Sequence, residues 1–161
     1  MRADLTATLP DPDATDALAR ALAPIVRAGD AILLEGPVGA GKTAFARALI
    51  GALRARAGLP PEDVPSPTFT LVQTYETGPF ETWHADLYRL SDADEVVELG
   101  LDEAFQAALT LIEWPDRLGP AAPPGALTLT LVPAGETARD LTLTGPAATL
   151  ARLAPAFESL A

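Results

Sequence analysis

The sequence predicts an α/β fold, a sandwich in which a mixed, mostly parallel central sheet is flanked by helices. Three observations predict it. In the first half, segments of helical periodicity alternate with short apolar runs of strand length; in the second half, period-two runs follow one another as neighbours. Between the first apolar run and the next helix stands a glycine-rich turn, GPVGAGKT at 36–43. Alternating helices and strands favour parallel pairing and consecutive alternating strands favour antiparallel pairing, so the sheet is mixed. No repeat or linker interrupts the 161 residues, and a single domain over 1–161 is expected.

Pro10 and Pro12 mark a loop before a helix over 14–29, in which Leu18, Leu22, Ile25 and Val26 recur at helical spacing; Thr15 is its expected N-cap and Gly29 its C-cap. AILLE (31–35) reads as a buried strand, and KTAFARALIGALRARAG (42–58) as a helix ended by Gly58 and two prolines. The β-prone runs within 70–87, broken at Gly78–Pro79, predict a hairpin or two neighbouring strands. SDADEVVELGLDEAFQA (91–107) is helical and split at Gly100; LTLIEWP (109–115) is a second buried strand ending in charge. After a proline-rich loop (115–125), runs at 126–132 and 138–145 predict an antiparallel pair, and a helix over 147–157 closes the chain.

Composition removes several classes of function. Hydrophobic residues make up 48% of the chain, enough for a packed core. The formal charge of −11 argues against a broad phosphate-neutralising surface for DNA or RNA. With no cysteine and one histidine, disulfides and ordinary zinc sites are excluded. No signal-type segment and no long apolar run is present, which sets the expectation of a soluble, cytoplasmic protein without a membrane span.

Lys42 is the chain's only lysine, against ten arginines, and it stands in the glycine turn. Residues 36–43 match G-x-x-x-x-G-K-[ST] in full, with a strand before and a helix after, the setting of a P-loop NTPase-like sandwich. Gly36, Gly39 and Gly41 let the backbone wrap closely and turn its N–H groups toward a polyphosphate, with the helix N-terminus behind them. In this reading Lys42 reaches the β- and γ-phosphates as a slim point charge that arginine's planar fork does not replace, and Thr43 offers its hydroxyl oxygen to Mg²⁺. The chain has no asparagine and no second lysine, so the N-K-x-D element that reads guanine is absent and ATP is favoured.

Glu113 ends the apolar strand LTLIE, where open α/β sheets place ligands. It is suited to hold Mg²⁺ directly, to hold it through water, or to orient an attacking water. His84 and Asp86, two apart, share one strand face; Asp86 is a candidate second carboxylate near the metal, and His84 either a hydrogen-bonded structural residue or a base. SPTFTL (66–71) places the Ser66 and Thr68 hydroxyls around Pro67, as a γ-phosphate-sensing switch loop or as a rigid lead into a strand.

GPVGAGKT, SPTFTLVQTYE, HADLYRL and LIEWPDR, in this order and at these separations, resemble the bacterial TsaE (formerly YjeE) family of tRNA threonylcarbamoyladenosine biosynthesis proteins, over most of residues 5–145. The resemblance implies a P-loop ATPase that supports N6-threonylcarbamoyladenosine (t6A) formation on tRNAs reading ANN codons. It implies binding to the TsaD–TsaB heterodimer, ATP hydrolysis that lets the complex turn over repeatedly, and tRNA reached only through those partners. By motif, Gly39, Ala40, Gly41, Lys42, Thr43 and Ala44 hold the phosphates and Thr43 and Glu113 hold Mg²⁺. Asp86 matches the family's functional acid in HxDLYRL, Thr68 lies in its SPTxTL loop, Thr15 matches an N-terminal threonine near the nucleotide, and Arg139 corresponds to a C-terminal nucleotide contact. Lys42, Asp86 and Glu113 are thus the residues expected to carry the chemistry. Pro37–Val38 replaces the Asp–Leu common in relatives, a change expected to leave the backbone cradle intact. Two other classes compete with a slow, partner-activated ATPase: a phosphotransferase acting on a small metabolite or protein hydroxyl, with His84 or Asp86 as base, and a nucleotide-sensing module without productive hydrolysis.

Overall fold

The computed structural model describes residues 2–92 and 94–160; Met1, Ala161 and Ala93, the last within the expected 91–107 helix, lie outside the described residues. In chain order the elements are β1 (Arg2–Leu9), α1 (Pro12–Leu22), β2 (Ala31–Glu35), α2 (Lys42–Arg56), β3 (Val72–Glu76) and β4 (Glu81–Asp86). There follow α3 (Glu95–Glu98), α4 (Leu101–Ala107), β5 (Leu109–Glu113), a 3₁₀ segment over Pro115–Ala121, β6 (Leu127–Pro133), β7 (Arg139–Pro146) and α5 (Ala147–Glu158). The seven strands form one sheet in the order β1-β7-β6-β2-β5-β4-β3. β2 pairs in parallel with β5 and β6, and β4 in parallel with β5, while β1–β7, β6–β7 and β3–β4 are antiparallel. β1, β2, β4, β5 and β6 therefore run one way and only β3 and β7 the other, which is the mixed, mostly parallel sheet the sequence predicts.

The hairpin of β3 and β4, the β6–β7 pair, the split at Gly100 and the closing helix lie where expected. Four elements differ. The helical region expected from Ser91 begins only at Glu95. β1 was not expected: R-A-D-L-T-A-T-L alternates with period two and buries its apolar positions progressively, but two of its four inward residues are alanines, and the strand is held mainly by β7. The first helix begins and ends earlier than 14–29. Asp11, not Thr15, is the N-cap, its carboxylate accepting from Ala14 N at 3.0 Å. Pro24, lacking an N–H and crowding the preceding turn, stops the helix at Leu22, so Gly29 caps nothing and instead donates its N–H to the Ala108 carbonyl. Finally, part of the 115–125 loop is a 3₁₀ turn.

Two apolar clusters cover the two sheet faces. On one, Leu18, Phe45, Leu49 and Leu153 of α1, α2 and α5 pack on Ile32, Leu34, Leu111 and Leu141. On the other, Val96, Leu101 and Phe105 of α3 and α4 pack on Ala85 and Ile112. With helices on both faces, the neighbouring C-terminal ends of β2, β5 and β4 meet at one edge of the core, and their register sets Leu34 beside Glu113 and Glu113 beside Asp86. No helix among the described residues is long and apolar enough to cross a membrane.

Candidate active site

The turn from β2 into α2 is built by its glycines. Gly39 and Gly41 have φ of 82° and 104°, the left-handed region, and a Cβ on Gly36 would collide with the Leu131 carbonyl. The first N–H groups of α2 have no partner within the helix, and its N-cap, Gly41, supplies no side-chain cap. Arg139, at the start of β7, reaches the back of this loop: its Nε donates to the Ala40 carbonyl at 3.0 Å and Nη2 to the Gly39 carbonyl at 3.2 Å. These bonds engage loop carbonyls and none of the loop amides, although Arg139 also lines the cleft.

Lys42 is buried, its ammonium donating to the Gly36 carbonyl at 2.7 Å and lying 3.4 Å from the centroid of the Trp114 ring. Burial pushes its pKa below the ordinary lysine value, opposed by the negative charges of Glu113, Asp86 and Asp116. Trp114 follows β5 in a left-handed conformation (φ 56°) and packs on Tyr88 with ring centroids 5.0 Å apart. Such backbone strain persists where the surroundings hold it, here between a cation and a second ring.

Thr43 and Glu113 come together across the cleft. The Thr43 hydroxyl lies 2.9 Å from both Glu113 carboxylate oxygens, and Glu113 is also bonded at 2.7 Å to His84 Nε2. Asp86, beside Glu113 in register, accepts from the Tyr88 N–H at 3.0 Å and from the Ser66 hydroxyl at 3.0 Å, and Ser66 and Thr68 are themselves 3.2 Å apart. Lys42, Thr43, Glu113, Asp86, Ser66 and Thr68 thus line one cleft of about 540 Å³. Its hard oxygen donors suit Mg²⁺, which takes one or two carboxylates or hydroxyls and completes its shell with phosphates.

Gly39, Gly41 and Ala44 also line the cleft, and Ala40 is buried behind it. Thr15 is not in it. It lines an adjoining hollow of about 120 Å³ that shares Gly41, Ala44 and Arg139 with the main cleft. His84 is fully buried (0% exposed), bonded to Glu113, and is not among the residues lining the cleft, whereas Asp86 lines it. The sequence reading did not anticipate the Arg139 grip on the loop carbonyls, the Trp114 face on Lys42, or the His84–Glu113 bond. The period-two spacing of His84 and Asp86 was the one available signal for the last of these.

A strand, a glycine loop and a helix carrying a buried lysine and a hydroxyl, with acids at the ends of adjacent parallel strands, define a P-loop nucleotide-binding protein of the α/β class. Comparison with known proteins narrows the class. The family model described as threonylcarbamoyl adenosine biosynthesis protein TsaE matches residues 9–141. The chain belongs to the TsaE family. It is 44% identical over 100 residues to the tRNA threonylcarbamoyladenosine biosynthesis protein TsaE of Rickettsia felis, covering 62% of this chain and 56% of that protein. The protein of the same name from Bacillus subtilis is 36% identical over 135 residues, covering 83% and 81%. The chain thus spans little more than half the length of the Rickettsia relative and four fifths of the Bacillus one. The crystal structure of Bacillus subtilis YdiB superposes with a TM-score of 0.76 at 28% identity, covering 99% of this chain and 95% of that one.

Proposed function

We propose that this protein is an ATP-binding, Mg²⁺-dependent ATPase, slow alone and activated by partners, that supports t6A formation with TsaD and TsaB. The observation that carries the catalytic part is the convergence of Lys42, Thr43, Glu113 and Asp86 on one cleft at the parallel strand ends. The pathway follows from membership of the family and from the names of the relatives.

In the proposed mechanism the loop amides of 39–44 and the α2 N-terminus cradle the phosphates. Lys42 leaves the Gly36 carbonyl and donates to the β- and γ-phosphates. The Thr43 oxygen and the Glu113 carboxylate would hold Mg²⁺, which would supply positive charge to offset that developing on the phosphates. Asp86 accepts a hydrogen bond from the attacking water, and the 66–71 loop, tied to Asp86 through Ser66, responds to the γ-phosphate. Arg139 is committed to loop carbonyls, and Arg117 lies 3.8 Å from Asp116, so neither is aimed at the transferring phosphoryl group. A partner supplying that cation would account for slow turnover alone. Exposed apolar side chains favour such a partner: Val38 and Tyr88, which line the cleft, are 85% and 54% exposed, and Phe69, next in the chain to the lining Thr68, is 85% exposed. The charge of −11 makes recruitment to tRNA through proteins the favoured route over direct binding.

The test is t6A synthesis over multiple turnovers with TsaD and TsaB, with and without this protein and with its hydrolysis blocked. Repeated turnover is expected only with the hydrolysing protein. Brisk ATP hydrolysis by the isolated protein, unchanged by either partner, contradicts the reading.

A further inference from the structure

The chain's single histidine is a buried titratable group that the proposed mechanism leaves unused. His84 stands on β4 with Leu111 as its register partner on β5, so its ring projects from the same sheet face as Asp86 and Glu113. Nε2 lies 2.7 Å from Glu113 Oε2, whereas Nδ1 is buried with no hydrogen-bond partner among the described residues. A carboxylate oxygen accepts, so the hydrogen-bond pattern assigns the proton to Nε2. Buried polar atoms are ordinarily paired, and a ring placed for packing alone has no reason to leave one nitrogen bare. This ring forgoes one hydrogen bond and keeps the one to Glu113.

Glu113 needs such a partner. It is 3% exposed, and the terminal torsion of a glutamate is broad, so one contact does not fix the carboxylate plane. Its other donor, the Thr43 hydroxyl, belongs to the phosphate loop and must serve nucleotide and metal as well. His84, by contrast, sits on a strand paired on both sides, by β3 and by β5. Its hold on Glu113 does not depend on what the loop is doing.

We propose that His84 is a positioning residue: its Nε2–H fixes the Glu113 carboxylate at the end of β5 in the orientation that receives Mg²⁺. This rests on the nucleotide reading given above. Because the chain has one imidazole, long-range ¹⁵N NMR of the intact protein observes it directly. The Nε2–H tautomer is expected in the wild type without any substitution; a proton on Nδ1 overturns the proposal. In calorimetric titrations, His84→Leu should leave ATP binding without Mg²⁺ unchanged and weaken the Mg²⁺-dependent gain in affinity by about 10-fold or more. His84→Gln, whose side-chain amide can donate to the same oxygen, should recover most of that gain. A Leu variant with wild-type Mg²⁺ dependence overturns the proposal. So do Leu and Gln variants equally impaired with equal falls in melting temperature, the mark of packing alone. A wild type that binds no nucleotide refutes the functional reading and this proposal with it, whereas nucleotide binding with an unaffected Leu variant refutes only the positioning role.

Discussion

β5 is buried at all five of its positions, whereas β6 and β7, on the far side of β2, alternate buried leucines with half-buried threonines. The first pattern belongs to a parallel strand covered by helices on both faces, the second to the antiparallel β6–β7 pair with one face half-open to solvent. The difference separates stability from chemistry. In the dry centre an ionised side chain needs partners, and Glu113 has them in Thr43 and His84 at the strand ends, whereas the neutral Thr110 hydroxyl on β5 has none among the described residues. The edge half contributes apolar core and a single functional reach, Arg139 behind the phosphate loop.

The largest expected effect tests the edge. Leu143→Ala, at a position 2% exposed, should destabilise the fold by about 2–5 kcal/mol in urea denaturation. The affinity of the folded variant for ATP should not move; if it falls in step, the two halves are not separable as argued. Next comes the centre. Glu113→Ala should lower partner-stimulated hydrolysis on the order of 10²-fold, about 2.7 kcal/mol in the barrier, while its melting temperature falls less than that of Leu143→Ala. Full activity in that variant would remove Glu113 from the metal site.

A pH series sharpens the comparison at Lys42. Its folded pKa lies below the ordinary 10.5, so the folded protein releases this proton first as pH rises. Between the two values the unfolded chain binds more protons, and stability should rise with pH there relative to Lys42→Met. Nucleotide affinity should move oppositely, declining as the ammonium is lost at a pH below 10.5. Parallel titrations of the two proteins by denaturation and by calorimetry check both signs. The smallest effect belongs to the switch loop. Ser66→Ala removes the 3.0 Å bond to Asp86, worth about 0.5–1.5 kcal/mol, and should slow partner-stimulated hydrolysis without changing ATP affinity in the isolated protein.

What the sequence made legible follows the same division. The phosphate loop, β2 and β5 were readable because glycine spacing and short, mainly apolar runs are local signals. β1 was not, since its identity as a strand comes from β7, some 130 residues away in the chain by register, and not from its alanines and threonines. The early stop of α1 was written in Pro24 but outweighed by the continuing apolar period of Ile25 and Val26. Within the site, residue types and strand faces were visible, yet the contacts of Arg139, Trp114 and His84 depend on which strands become neighbours. No spacing in one chain encodes that directly.

The most direct measurement is calorimetric titration of Mg·ATP into the wild-type protein and into Lys42→Ala near neutral pH. The account predicts saturable binding at one site in the wild type and its loss in the variant with the fold retained. No association in the wild type, or equal affinity in both proteins, would contradict it.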